Sequence, residues 1–379
     1  MPMSAAVQAV SQGIFPVGND LGWIFQLIWL VFFVVFMFYG QRIQMTVMLR
    51  EIAGSLYKLR LMRDKGRSMA ISRIKELANP NDDPTPRVDR FLEHIYIQPV
   101  DLDPVGIIQR LEHIIDVRDL RFRDDVRSMA PQADETQIDN LTMVLEAALD
   151  LNQIYKIIRH FYLQGKKTLS IYTVMQLQMI LPIVMKLSEA LANALRAFTL
   201  GQPFGDGAGC LVAGRLMHGS EKREIAKDIV VGDVMVEGRR AYVLKAKGPG
   251  GRVGRPGEAI KQILEENEGK VSMIILIDAA VKLEGEKVGE VAEGIGVAIG
   301  PAGVVDKYKV EETATKYKVP LNAIIIKEDL ADAYSIMKKE IVDGAEVAVE
   351  RIKQLIREKT KEGDTVIVAG IGNTMGVGQ

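Results

Sequence analysis

The run Trp23 to Tyr39, WIFQLIWLVFFVVFMFY, constrains this chain more than any other feature. With Leu21, Gly22 and Gly40 it makes about 20 positions holding one strongly polar side chain, Gln26, the length a helix needs to cross a bilayer's hydrocarbon core. No side of such a helix offers a polar face, so the amphipathic helix of a globular surface does not fit. A cleaved leader would carry a basic start, a shorter apolar run and small residues at a cleavage site, and the sequence has none of these.

Residues 1–20 contain no Lys or Arg and one acid, Asp20, whereas Gln41 to Ala70 carries Arg42, Arg50, Lys58, Arg60, Arg63, Lys65 and Arg67 against Glu51 and Asp64. Bases collect on the cytoplasmic side. The expectation is a single-pass protein of the cell membrane, with a short extracytoplasmic segment at 1–20, a transmembrane helix at 21–40 and a cytoplasmic body. A second apolar run, Leu169 to Leu187, is interrupted by Ser170, Thr173, Gln176, Gln178 and Pro182 and reads as a packed helix. If it spanned the membrane instead, the C-terminal half would be exported.

A chain of 379 residues exceeds what one hydrophobic core usually organises, so two or three units are expected. Its 48 Lys and Arg balance 49 Asp and Glu, leaving no field to gather nucleic acid. The single cysteine, Cys210, rules out a disulfide framework and a four-thiolate zinc site. The four histidines, His94, His113, His160 and His218, form no HExxH pair.

Residues 41–78 read as a basic juxtamembrane helix whose side chains suit anionic lipid headgroups. Asn79 to Arg87, NPNDDPTPR, is a turn-rich break. Residues 88–200 form a helical domain, because GIIQRLEHIIDV (Gly106 to Val117) and Thr136 to Leu163 place apolar residues three and four apart. A bundle of this kind suits spacing or homo-oligomerisation.

From 201 to 379 short β-rich runs alternate with helical ones, an α/β pattern. Helices are predicted near Gly207–Met217, Pro256–Asn267, Val310–Tyr317 and Ala331–Lys361. Strands are predicted near Val230–Val236, Ala241–Ala246, Met273–Ile277, Gly289–Ala298, Ala323–Ile326 and Thr365–Ala369. MIILI and NAIIIK are apolar on both faces, which predicts a mostly parallel sheet covered by helices.

Ligands of such sheets lie at the carboxyl ends of the strands. Four features fall there: Asp278 after MIILI; Asp206 in PFGDGAGCLVAGRL; the glycine-rich KGPGGRVGRPGEA with Lys247, Arg252 and Arg255; and GIGNTMGVGQ after the strand DTVIVA. Glycine-rich loops before helices bind anions through backbone N–H groups, yet neither loop has the GxxxxGK[ST] pattern.

The span together with the GDGAG, KGPGG, IDAA and GIGNT blocks resembles an uncharacterised archaeal membrane-protein family of about this length. GDGAGCLV (Gly205 to Val212) and LIDAA (Leu276 to Ala280) are also similar to blocks of the germination-protease and hydrogenase-maturation-protease fold. That resemblance implies a phosphorylase/hydrolase-like α/β domain with Asp206 and Asp278 as its acidic pair. The GIGNT strand comes last here rather than first, so the order looks circularly permuted. If so, the tail returns to lie beside Asp206.

Two facing carboxylates can share a proton so that one activates water against a peptide carbonyl, or can hold a divalent metal. The maturation-protease branch adds a histidine after a later strand, and NAIIIKEDLADAY has none. Asn373 is a candidate to orient an amide or oxyanion, or to form a turn. The leading expectation is therefore a membrane-anchored peptidase-like protein with Asp206, Asp278 and Asn373 as catalytic residues, peptide or protein as substrate, and no certain cofactor. The alternative is a non-enzymatic membrane-bound scaffold or regulator that binds an anionic ligand or a protein partner through Lys247, Arg252 and Arg255.

Overall fold

The computed structural model describes residues 22–78, 83–95, 97 and 106–378. The segment at 1–20 and part of the break at 79–87 lie outside the described residues.

Helix α1 (Gly22–Ala78) contains no proline, so the apolar stretch and the basic arm are one helix rather than two elements. Its axis turns by 51° between Trp23–Met37 and Tyr39–Leu77. Every residue from Leu27 to Met37 is exposed, and eleven consecutive positions pass round the helix three times. α2 (Thr85–Phe91), α3 (Ile107–Met129), α4 (Glu135–Thr168) and α5 (Ile171–Leu200) follow.

The chain divides into two compact units. The first, among the described residues, comprises 22–55 with 158–181, where Met45 and Ile52 of α1 and Ile158, Val174, Leu177 and Leu181 of the α4–α5 hairpin are buried. The Gln178 side-chain amide donates to Glu51 at 2.7 Å. Among the described residues α5 is the one straight helix long and apolar enough to cross a membrane, whereas the N-terminal run meets that length only as a bent pair. The packed helix expected at 169–187 holds only in part: Tyr172 and Met179 stand exposed, while Ala190, Leu191, Ala194, Leu195 and Phe198 further along α5 are buried in a core.

The second unit comprises 56–157 with 182–379. Its helical layer closes around Ile74, Phe91, Val126, Leu141, Leu145 and Leu195. Beyond it lies α6 (Ala208–Leu216) and a seven-stranded sheet of β1 (Lys222–Ala226), β2 (Ile229–Val236), β3 (Arg239–Ala246), β4 (Met273–Val281), β5 (Val291–Ile295), β6 (Leu321–Glu328) and β7 (Thr365–Gly370). The order is β1-β2-β3-β7-β4-β6-β5. Strands β3, β7, β4 and β6 are parallel, while β1–β2, β2–β3 and β5–β6 are antiparallel. The sheet is thus mixed rather than mostly parallel. Its first three strands are joined by turns at Asp228 and Glu237–Gly238, too short for the crossover that a parallel pair requires.

The centre follows the apolar runs. Ile275, Ile277, Ile324 and Val368 meet α6 and α10 (Lys339–Lys359) on one face. Ile274, Leu276 and Ile367 meet α7 (Pro256–Glu266) and α8 (Val304–Tyr317) on the other. Consecutive residues of MIILI therefore point into opposite cores, and nothing polar is tolerated.

Several elements differ from expectation. β1 was not anticipated, α8 begins at Val304, β4 runs on to Val281 so that Asp278 lies inside it, and the long final helix is split into α9 (Leu330–Ala333) and α10. The split arises because Ile336 forms a bridge with Phe204 that pulls the chain off the helical path.

At Gly209 a Cβ would collide with the carbonyl oxygens of Ile277 and Ile371, so the first turn of α6 lies flush on β4 and on the residue after β7. Gly209→Ala should lower stability by about 3 kcal/mol or more through forced separation of these backbones. Thermal unfolding checks this; an unchanged melting temperature would contradict the close packing.

Candidate functional site

Asp206 sits in a 3-10 turn, Gly205–Gly207, that feeds α6 after the extended residue Phe204. Its carboxylate accepts a hydrogen bond from the Asn373 backbone N–H at 3.0 Å. The preceding Gly372 has φ +116°, a value side chains rarely adopt, and a Cβ there would strike the Asp206 carbonyl. The tail therefore does return to the GDGAG turn, 167 positions away in sequence. It does so because β7 is threaded between β3 and β4 at the centre of the sheet.

Asp278 is 7 % exposed. Its carboxylate accepts the N–H of Ala279 at 2.8 Å and that of Gly300. Burial and then the negative charge of Asp206 push its pKa from 3.8 up to about 8, against the relief given by the two N–H groups. Asp206 is itself raised by burial, and the Asn373 N–H opposes the rise.

Two acids that the sequence reading missed join this pair. Glu328 ends β6, is 2 % exposed and is pushed up to about 8 by burial and by the charges of Asp206, Asp332 and Asp278. Its Oε2 has no hydrogen-bond partner, nor has Oδ2 of Asp332. The other oxygen of Asp332 meets Lys338 at 2.7 Å. Glu328 closes an apolar run just as Asp278 does, and that is the signal the sequence carries for it. Among the described residues no three acidic, thiol or imidazole groups converge as ligands for a metal ion.

The side chain of Asn373 is directed elsewhere than its backbone. Its oxygen accepts the Met375 N–H at 2.9 Å and its amide approaches Sδ of Met143 at 3.6 Å, so the turn role is realised. The residue also borders a cavity of about 320 Å³ formed with Met143, Glu146, Gly251 and Arg252. Cys210 is buried, its thiol directed at the carbonyls of Gly370 and Gly372, and pushed up to about 12 by burial. An inert structural thiol results.

Lys247, Arg252 and Arg255 are not gathered with the acids and do not form an open cradle for an anion. Arg252 binds Asp139 at 2.6 Å and Asp228 at 2.7 Å, Arg255 binds Asp116 at 2.5 Å, and Lys247 binds Glu224 at 2.8 Å. The glycines of this loop instead admit other parts of the chain: at Gly251 a Cβ would crowd Met143 and Met375. The loop's cations therefore fasten it to its surroundings.

Two family models match the chain, the N-terminal domain of a protein of unknown function, DUF1512, over residues 26–201 and the C-terminal domain of the same description over 204–378. The chain belongs to the DUF1512 family. No curated protein and no solved structure matches it. The two family domains meet between 201 and 204, where the helical layer passes into the Asp206 turn.

The raised acids make stability depend on pH. The unfolded chain would release the Asp278 and Glu328 protons near pH 4, whereas the folded chain keeps them to about 8. Their stabilising contribution is thus complete below about pH 4 and is lost as pH rises through 8. The melting temperature should fall between pH 5 and pH 8.5, and Asp278→Asn should flatten that fall and gain roughly 1–3 kcal/mol at pH 8. A wild-type melting temperature that does not change over this range would refute the carboxyl assignment.

Proposed function

We propose that this DUF1512 protein is a membrane-anchored hydrolase whose α/β half uses Asp206 and Asp278 to activate water against a peptide or related amide. The observation that carries the reading is the pairing of two buried carboxyls, the charge of Asp206 acting on Asp278. Asp206 receives a backbone N–H that favours its charged form. Asp278 is held at about 8 and keeps its proton at neutral pH. Burial raises both acids, and a close carboxyl pair that shares one proton can divide the roles of general base and general acid. Asp206 takes the proton from the attacking water, and Asp278 protonates the leaving nitrogen. Glu328 is also held protonated near neutrality by burial and by the neighbouring acids. The order of the GDGAG, LIDAA and GIGNT blocks, permuted, supports the likeness to the germination-protease and hydrogenase-maturation-protease fold.

The anchor in this reading is the first part of α1, whose exposed apolar side chains find no partner within the unit. α5 is less suited to span, because its second half is buried in the core of the helical layer. One crossing leaves the body on the basic, cytoplasmic side. The neutralised cations of Lys247, Arg252 and Arg255 withdraw the main support from the scaffold alternative.

Incubating the purified full chain in detergent with a peptide library, and reading new termini by mass spectrometry, tests the chemistry. Wild type should cleave, with activity lost above about pH 8 as Asp278 ionises, and Asp206→Asn and Asp278→Asn should each fall by at least about 100-fold. Equal cleavage by all three proteins, or none by any between pH 5 and 9, would overturn the reading.

A further inference from the structure

We propose that the α4–α5 hairpin is a second membrane contact, an interfacial foot that rests on anionic lipid headgroups beside the span. This rests on the reading of the first part of α1 as the membrane anchor.

Direction comes first. Gly66 of α1 lies against Ala148 and Leu151 of α4, and Arg63 stacks over Tyr155 at 4.4 Å. Residue numbers rise in α4 as they fall in α1, so α4 runs back toward the apolar stretch. It turns at Thr168 to Ile171, where Leu169 takes φ +53°, and Gly165 packs against Val174 of α5. On the return Gln178 reaches Glu51. Seven residues of helix separate Gln178 from Ile171, so the turn stands about 10 Å nearer the apolar stretch than that contact, level with the turn of α1 around Gln44. Gly40, where the apolar run ends, is about 6 Å further along. The burial of Met45 within the same unit agrees with this register.

The surface chemistry changes to match. Leu169 is 60 % exposed and Tyr172 and Met179 are each 78 % exposed. They continue the bare apolar surface of the span through Ile43 and Val47 of α1. The same unit carries Arg42, Arg50, Arg159, Lys166 and Lys167, for none of which an ion pair is seen among the described residues. Within 22–55 and 158–181 the one acid is Glu51, already taken by Gln178. Apolar and aromatic groups flanked by unneutralised bases fit the headgroup boundary of an anionic leaflet. A soluble protein partner would replace this apolar surface without matching its position at the end of the span. By contrast Arg67 and Arg73 further along α1 pair with Asp89 and Glu76, so the lipid-facing charge belongs to the hairpin end of the arm.

The test uses the full chain reconstituted in phosphatidylcholine vesicles with or without phosphatidylglycerol. A fluorophore is placed on Tyr172→Cys, with Leu30→Cys as the reporter for the span and Lys270→Cys, on the α/β half, as the aqueous reference. Cys210 is buried and stays unlabelled. Nitroxide-bearing lipid should quench the Tyr172 position roughly twofold or more beyond Lys270 in anionic vesicles, and less when Lys166→Glu and Lys167→Glu are introduced. Quenching at Leu30 without quenching at Tyr172 would overturn the foot while leaving the span intact; quenching at neither would remove the span and the foot with it. Quenching at Tyr172 that ignores lipid charge and both lysines would overturn the anionic assignment. Protection of Tyr172 from an aqueous quencher without lipid quenching would assign the surface to another protein chain.

Discussion

The contact of the tail with the α6 entry turn is the constraint on which the site depends. β7 is the last strand in sequence and the central one in space, with β3 and β4 on its two sides. Only because it lies there can the residues after it reach the Gly205–Gly207 turn, and only because residues 209 and 372 lack a side chain can the two backbones close. One N–H, that of Asn373, is then aimed at the Asp206 carboxylate. The same geometry brings Asp278 of the adjacent strand and Glu328 of the next into mutual repulsion with Asp206.

A cluster of this kind costs stability. Two of its oxygens, on Glu328 and Asp332, are buried without partners, and a buried acceptor left unpaired costs on the order of 1–3 kcal/mol. Purely structural packing would favour apolar side chains at these positions, as in the rest of β4 and β6. Two other buried acids of the same unit are compensated: Asp139 is raised by burial yet receives Arg252 and Arg123, and Asp306 receives the N–H of Gly257. No cation pairs with Asp206, Asp278 or Glu328 among the described residues, and burial raises all three.

Much of this was legible in the sequence, and for physical reasons. The bare helix was readable because its apolar run has no second periodicity. The buried strands were readable because MIILI and NAIIIK are apolar at every position, as central strands covered on both faces must be. Asp206 and Asp278 were visible as carboxylates placed against glycine and isoleucine. The antiparallel meander β1–β3 was less visible, since KREIA carries too many charges to read as a strand away from its neighbours. The role of the KGPGG loop was misread because sequence shows a cation but not its partner, and Asp139 and Asp228 lie 113 and 24 positions from Arg252. Glu328 went unnoticed for a related reason: its significance comes wholly from which strand stands next to β4.

The long helix α1 links these observations in one covalent element. It carries the apolar stretch at one end, and at the other Ala70 and Ile74 enter the core that also holds Leu141, Leu195 and Phe204. Phe204 in turn is two residues from Asp206, and its bridge to Ile336 fixes the segment that presents Asp332 and Lys338. The acids are thus held by packing that begins on the helix emerging from the apolar stretch, through side chains rather than through a free linker. Losing the Ala70–Ile74 part of α1 would therefore remove part of the core that positions the Phe204 turn.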